Sequence, residues 1–227
     1  MKHILKCWPM RFCLLLLFIF GVSLSWRSEG KAEENPALAI LPFFIEKAED
    51  PERGTVCPIC KGVYRRGKIL PGSQNTLTRL LYRKVGAMGK FTVLPIEKVE
   101  EALSQGEKRC FEESPISSSI RFGRDLRMDF VFVGFLFRFE ERIGSSIGVE
   151  KPASVGCDLH LFRLRDGKMV WLGKFDETQR PLSENLLKIG SFVRRKAQWL
   201  TAEELASVGM DEMLRKLPDP KELEEGQ

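Results

Sequence analysis

The polar and apolar positions divide this chain into a basic, then strongly apolar start, a short charged stretch, and a long region where compact apolar runs alternate with amphipathic ones. Ala37 to Phe43 is continuously apolar and bounded by Pro36 and Pro42, which predicts a buried central strand. The stretch 46–72 breaks the pattern. It is charged and Gly-bearing, contains Cys57-Pro58-Ile59-Cys60, and predicts an inserted surface loop. Leu77, Leu80, Leu81, Val85 and Met88 fall on one face of a helix from Ser73 to Met88, with Ser73 as its cap and Gly89 as its stop. A short strand at Phe91–Pro95 follows, then a helix over Ile96–Ser104 with Val99 and Leu103 inward. A Cys110-containing loop and a helix over Ile116–Arg127 come next.

The chain then turns to strands. Asp129–Phe139 is long and aromatic. Val155–Arg165 alternates, with Val155, Cys157, Leu159 and Leu161 on one side and Asp158, His160, Phe162 and Leu164 on the other. Between these strands, 144–156 reads as a flexible connection. Asp166-Gly167 predicts a tight turn into a third antiparallel strand over Lys168–Thr178. A short helix over Leu182–Ile189 and a capped helix from Thr201 to Leu217 follow, and Pro218–Gln227 reads as a solvated tail. The order predicts an α/β (α+β) fold: a single mixed sheet of about five strands with helices packed against it. The domain spans 37–217, with the insertion at 46–72 and a carboxy-terminal helical extension from about residue 182.

The start changes where this domain is expected to work. Lys2, Lys6 and Arg11 precede an apolar run from Phe12 to Leu24. That run is shorter than the roughly 20 residues of a spanning helix and suits the core of a signal peptide. Residues 1–25 are therefore expected to export the chain, either cut after Ser25 or kept as an anchor, with 26–36 as a linker. Cys13 sits at the beginning of the apolar core rather than its end, so a lipid anchor is not expected. The net charge of +5 includes three charges of the leader, and the remaining basic residues are dispersed. Nucleic acid is not an expected partner.

Short motifs together carry a resemblance. Ala39-Ile40-Leu41-Pro42-Phe43 opens the domain. Val85-Gly86-Ala87-Met88-Gly89 leads into Phe91-Thr92-Val93-Leu94-Pro95, and Gly123-Arg124-Asp125-Leu126 leads into Asp129–Gly134. Arg165-Asp166-Gly167-Lys168-Met169-Val170-Trp171 forms a hairpin. In order and spacing these resemble the extracytoplasmic α/β domain of the CsgG, PelC and LpoB lipoproteins and the amino-terminal domain of TolB, over roughly residues 37–180. The resemblance implies a TolB amino-terminal-like sheet and a non-enzymatic accessory or scaffold role in the bacterial periplasm. It also implies an envelope protein partner and allows a homo-oligomer. Those lipoproteins start with a lipidated Cys, which this chain lacks, so membrane contact is expected only through the amino-terminal segment. A binding module for an envelope polymer or ligand is the alternative, and a periplasmic thiol or zinc protein stands third.

Cys57-Pro58-Ile59-Cys60 is the one short motif with chemical content. A redox pair needs a strand-to-helix setting, which this loop lacks. Half a zinc site needs partners from Cys110 or from Cys157-Asp158-Leu159-His160, yet Cys157 and His160 project to opposite faces of a strand. Haem attachment needs a histidine where Lys61 stands. The favoured reading is a structural disulfide, Cys57–Cys60 or a pairing with Cys110. Cys57 and Cys60 remain the sole metal candidates, and no catalytic residue or cofactor is expected. Cys157 reads as a buried free thiol. His160 alone cannot build a catalytic triad. The aromatic strand reads as sheet core, but Phe135, Phe137 and Phe139 exceed what one buried face needs: they rest under helices on both faces or are candidate partner contacts.

Overall fold

A computed structural model describes residues 35–46, 54–104, 111, 114–180 and 198–225. The expected leader, Cys110 and the helix expected at Leu182–Ile189 lie outside the described residues. In chain order the elements are β1 (Ala37–Ile40), β2 (Phe44–Ile45), β3 (Thr55–Val56), β4 (Val63–Tyr64), α1 (Ser73–Met88), β5 (Thr92–Val93), α2 (Ile96–Ser104) and α3 (Pro115–Asp125). They continue with β6 (Phe130–Glu140), β7 (Ile143–Gly144), β8 (Val149–Lys151), β9 (Ser154–Arg163), β10 (Lys168–Thr178), α4 (Ala202–Leu214) and α5 (Pro220–Glu225).

One mixed sheet runs in the order β10-β9-β6-β1-β5. β1 pairs parallel with β5 and β6, while β6, β9 and β10 form the antiparallel meander. β2 extends the β1 line along β6 beyond Pro42, pairing Phe44 with Phe135. Gly134 opens the space this detour needs: a Cβ there would sit 2.6 Å from the Phe43 ring.

β6 is apolar on both faces because both are covered. Phe130, Phe132 and Leu136 join α1 and α4 in one core, with Leu77, Leu80, Leu81, Leu205, Met210 and Met213. Val131, Val133, Phe135 and Phe137 join Val99, Leu103, Phe122 and Tyr64 in a second. The pairing with β9 slips between Leu136 and Arg138, a bulge that leaves Phe137 unpaired and re-aims the strand end. Phe135, Phe137 and Phe139 are 2%, 2% and 5% exposed, so they are interior residues and not a contact surface. Of the two readings open from the sequence, cover on both faces or exposure to a partner, the structure has the first.

Local signals account for most boundaries. α1 ends at Gly89 in the left-handed region (φ 64°), as expected, but starts at Gly72 (φ 80°) with no side-chain cap. Ser73 instead donates its hydroxyl to the Leu70 carbonyl at 2.6 Å. At α4 the Thr201 hydroxyl accepts the Glu204 N–H, and the Glu204 carboxylate accepts the Thr201 N–H. The expected solvated tail is in part a helix. Leu223 of α5 is buried, and Arg163 Nη1 donates to the carbonyls of Leu223 and Glu224 at 2.7 and 3.0 Å. Among the described residues no helix is long and apolar enough to cross a membrane.

Candidate functional site

The insertion is a hairpin rather than a loose loop. β3 and β4 pair Thr55 with Tyr64 and Val56 with Val63. Their connection closes tightly, with Cys57 N–H donating to the Gly62 carbonyl at 2.8 Å and Lys61 N–H to the Cys57 carbonyl at 3.1 Å. Lys61 adopts φ 57° to make this turn. The turn folds the Cys60 N–H back toward the Cys57 sulfur at 3.5 Å. Alternation along the hairpin buries Thr55, Cys57 and Tyr64 against the sheet and leaves Val56 and Val63 outside.

Under the hairpin, β9 presents Asp158 and His160. Two residues apart, they share one face, while Cys157 points into the opposite core. One ligand-type atom from each of Cys57, Cys60, Asp158 and His160 lies within 4.8 Å of all the others. Cys57 Sγ is 3.7 Å from His160 Nε2, and Cys60 Sγ is 3.5 Å from Asp158 Oδ2. Tyr64 donates its hydroxyl to the same Oδ2 at 2.9 Å, and its ring stacks on Phe137 at 3.9 Å. His160 Nδ1 lies 3.3 Å from the Val133 carbonyl on β6 and 3.7 Å from Asp158 Oδ1. That Oδ1 is buried without a hydrogen-bond partner.

Burial dominates the electrostatics. It raises the Asp158 carboxyl above its ordinary range, while His160, Cys57, Tyr64 and Cys60 pull the other way. It pushes the Cys57 thiol and the Tyr64 phenol up, and the nearby Asp158 adds to both. It lowers His160 despite the opposing pull of Asp158, so the imidazole is neutral. A neutral imidazole fixed by Val133 through Nδ1–H has its lone pair on Nε2, facing Cys57.

The structure leaves Cys57, Cys60 and Cys157 as free thiols, so the expected Cys57–Cys60 disulfide is not formed in it. The two sulfurs face different partners, one an imidazole and the other a carboxylate. The alternative pairing with Cys110 lies outside the described residues. Cys157, the expected strand partner for the cysteine pair, lies on the opposite face from His160, and Asp158 takes its place beside His160. The available signal was two ionisable residues at alternate positions of a strand face that otherwise carries Phe162 and Leu164.

A second polar cluster holds the other end of the insertion. Arg138, almost fully buried on β6, donates to Asp176 at 2.6 Å, Ser154 at 2.6 Å and the Arg65 carbonyl at 2.8 Å. Lys68 N–H donates to Glu140 at 2.8 Å.

Together the fold and site define a mixed α/β domain with a sealed cysteine–histidine–aspartate cluster clamped under a hairpin. No family model matches the chain, and no curated protein matches it. Several solved structures are similar in outline. The LpoB C-terminal domain from Salmonella enterica is 14% identical, with 64% of this chain and 84% of that one covered, at a TM-score of 0.41. A PelC dodecamer from Paraburkholderia phytofirmans is 9% identical over 80% and 85%, at 0.43. The hypothetical protein CT253 from Chlamydia trachomatis is 14% identical over 81% and 95%, at 0.45. At these scores no residue role or activity is carried over. LpoB and PelC were among the names in the sequence resemblance, whose CsgG and TolB parts remain expectations.

Proposed function

We propose that this chain is an exported, non-catalytic accessory protein of the bacterial envelope that works by protein–protein contact. The observation that carries the reading is the outward face of the insertion hairpin. Val56 and Val63 stand opposite each other there, 47% and 70% exposed, on a turn held rigidly from beneath. An exposed cross-strand apolar pair on a fixed element suits a partner surface, since a rigid patch binds without an ordering cost. The sealed cluster supports the non-catalytic part. Cys57, Asp158 and His160 are fully buried and Cys60 is half-buried, so no substrate reaches a nucleophile together with its base. The expected leader and the motif resemblance support the compartment in this reading.

Site-specific photocrosslinking in the native cell tests the reading. Crosslinkers at positions 56 and 63 should give discrete protein adducts that a crosslinker at the exposed Glu203 does not give, and Val63→Glu should abolish the position-56 adduct. A folded chain that crosslinks to nothing from either hairpin position overturns it.

A further inference from the structure

We propose that Cys57, Cys60, Asp158 and His160 form a four-ligand site for a zinc-class divalent cation, which locks the insertion hairpin onto the sheet. The inference does not depend on the contact role proposed above.

Spacing is the first argument. Zinc bonds of about 2.3 Å to sulfur and 2.1 Å to nitrogen or oxygen, at tetrahedral angles, place neighbouring ligand atoms roughly 3.6 Å apart. The structure has 3.7 Å for Cys57 Sγ to His160 Nε2 and 3.5 Å for Cys60 Sγ to Asp158 Oδ2. The four donors come from two short segments, a C-x-x-C turn and an i,i+2 strand pair. A single ion would bridge segments about 100 positions apart in the chain.

The outer contacts are the second argument. A metal-bound histidine characteristically donates its other ring N–H to a carbonyl, and His160 Nδ1 faces Val133 in that way. The Tyr64 hydroxyl holds Asp158 as an outer partner holds a ligand carboxylate. The Cys60 N–H approaches the Cys57 sulfur, a contact that favours thiolate.

The third argument is an unfilled need. Asp158 is fully buried, and its Oδ1 accepts no hydrogen bond. The thiols and the phenol around Oδ2 solvate the carboxylate but carry no positive charge. A divalent cation would compensate both the carboxylate and the thiolates it creates. Two sulfurs, one imidazole and one carboxylate select zinc over calcium or magnesium, which favour all-oxygen shells. With four protein donors and no open position, the ion would be structural.

The test uses the full chain, exported in its host, solubilised in mild detergent and purified without chelator. Elemental analysis should find about one equivalent of zinc. Cobalt(II) added to stripped protein should give tetrahedral visible bands and a thiolate charge-transfer band. Cys60→Ser, at the half-buried position, and His160→Ala should each lower cobalt affinity at least tenfold and weaken the bands. Cys157→Ser, on the opposite face, should leave both readouts unchanged. Near-UV circular dichroism checks that each variant is folded. Zinc far below stoichiometry together with a featureless cobalt spectrum overturns the proposal. So does isolation of the native chain with Cys57 and Cys60 already joined, shown by thiol alkylation without reductant. Loss of cobalt binding in Cys157→Ser but not in folded Cys60→Ser would also overturn it.

Discussion

The two faces of the sheet are covered by different means. On one, α1 and α4 lay down Leu77, Leu80, Leu81, Leu205, Met210 and Met213, and the contact is mainly apolar, joined by the Phe43 N–H donating to Thr78 and the Tyr82 hydroxyl donating to the Ile40 carbonyl. On the other, part of the cover is a hairpin whose contacts are partly polar: Tyr64 to Asp158, Cys57 to His160, and Arg65 to Arg138. Apolar helix packing tolerates repacking and is spread over many side chains. A buried polar clamp concentrates its contribution in a few groups and fails when one is missing. The first face therefore sets the stability of the whole domain, and the second sets the position of one element.

The largest effect is expected on the helical side. Leu80→Ala empties a fully packed position of α1 and should lower global stability by about 3 kcal/mol in chemical denaturation. All probes should shift together. Tyr64→Phe removes a hydrogen bond to the buried Asp158 and should weaken docking of the hairpin by about 2 kcal/mol. Hydrogen exchange should show the hairpin amides losing protection before those of α1; equal loss at both would break the comparison. Thr201→Ala, which removes half of a reciprocal cap, should lower stability by about 1 kcal/mol, read as a lower melting temperature with the hairpin unaffected.

The smallest expected effect depends on pH. Burial acts to raise the Glu140 carboxyl, but Lys151, the Lys68 N–H and Arg138 outweigh it and hold the group below its ordinary range. A carboxyl lowered in the folded state stabilises the fold above the unfolded value and loses that contribution as pH falls through the folded value. Melting temperatures of Glu140→Gln and the parent should therefore differ by the equivalent of less than about 1 kcal/mol at neutral pH and converge in acid. A gap that widens on acidification would contradict the assignment.

The same division governed what the sequence could disclose. The helical face was legible because its residues recur at helical spacing: α1 runs over the expected Ser73–Met88, and Gly89 ends it. The alternation on β9 put Asp158 and His160 together on one face. What covers that face was not legible. The hairpin's strands are two residues each, too short for a period, and its partners lie about a hundred positions away. Cys57 and Cys60 suggested each other because they are neighbours in sequence, whereas the fold gives each sulfur a distant partner. Phe135 and Phe137 suggested a surface for a related reason: the second layer that buries them is partly this same insertion, while Phe139 lies in the core under α1 and α4.

The separation between Cys57 and His160, 103 positions, also has a kinetic consequence. The docking floor of the hairpin is β9 beside β6, so it does not exist until the antiparallel meander has formed. Closing a loop of that length costs on the order of 4 kcal/mol in chain entropy, which the few hairpin contacts cannot repay early. The insertion is therefore expected to settle after the folding barrier. Weakening it should speed opening and leave the folding rate nearly unchanged, so the lifetime of the docked hairpin, and not its rate of arrival, sets how long the surface it carries is presented.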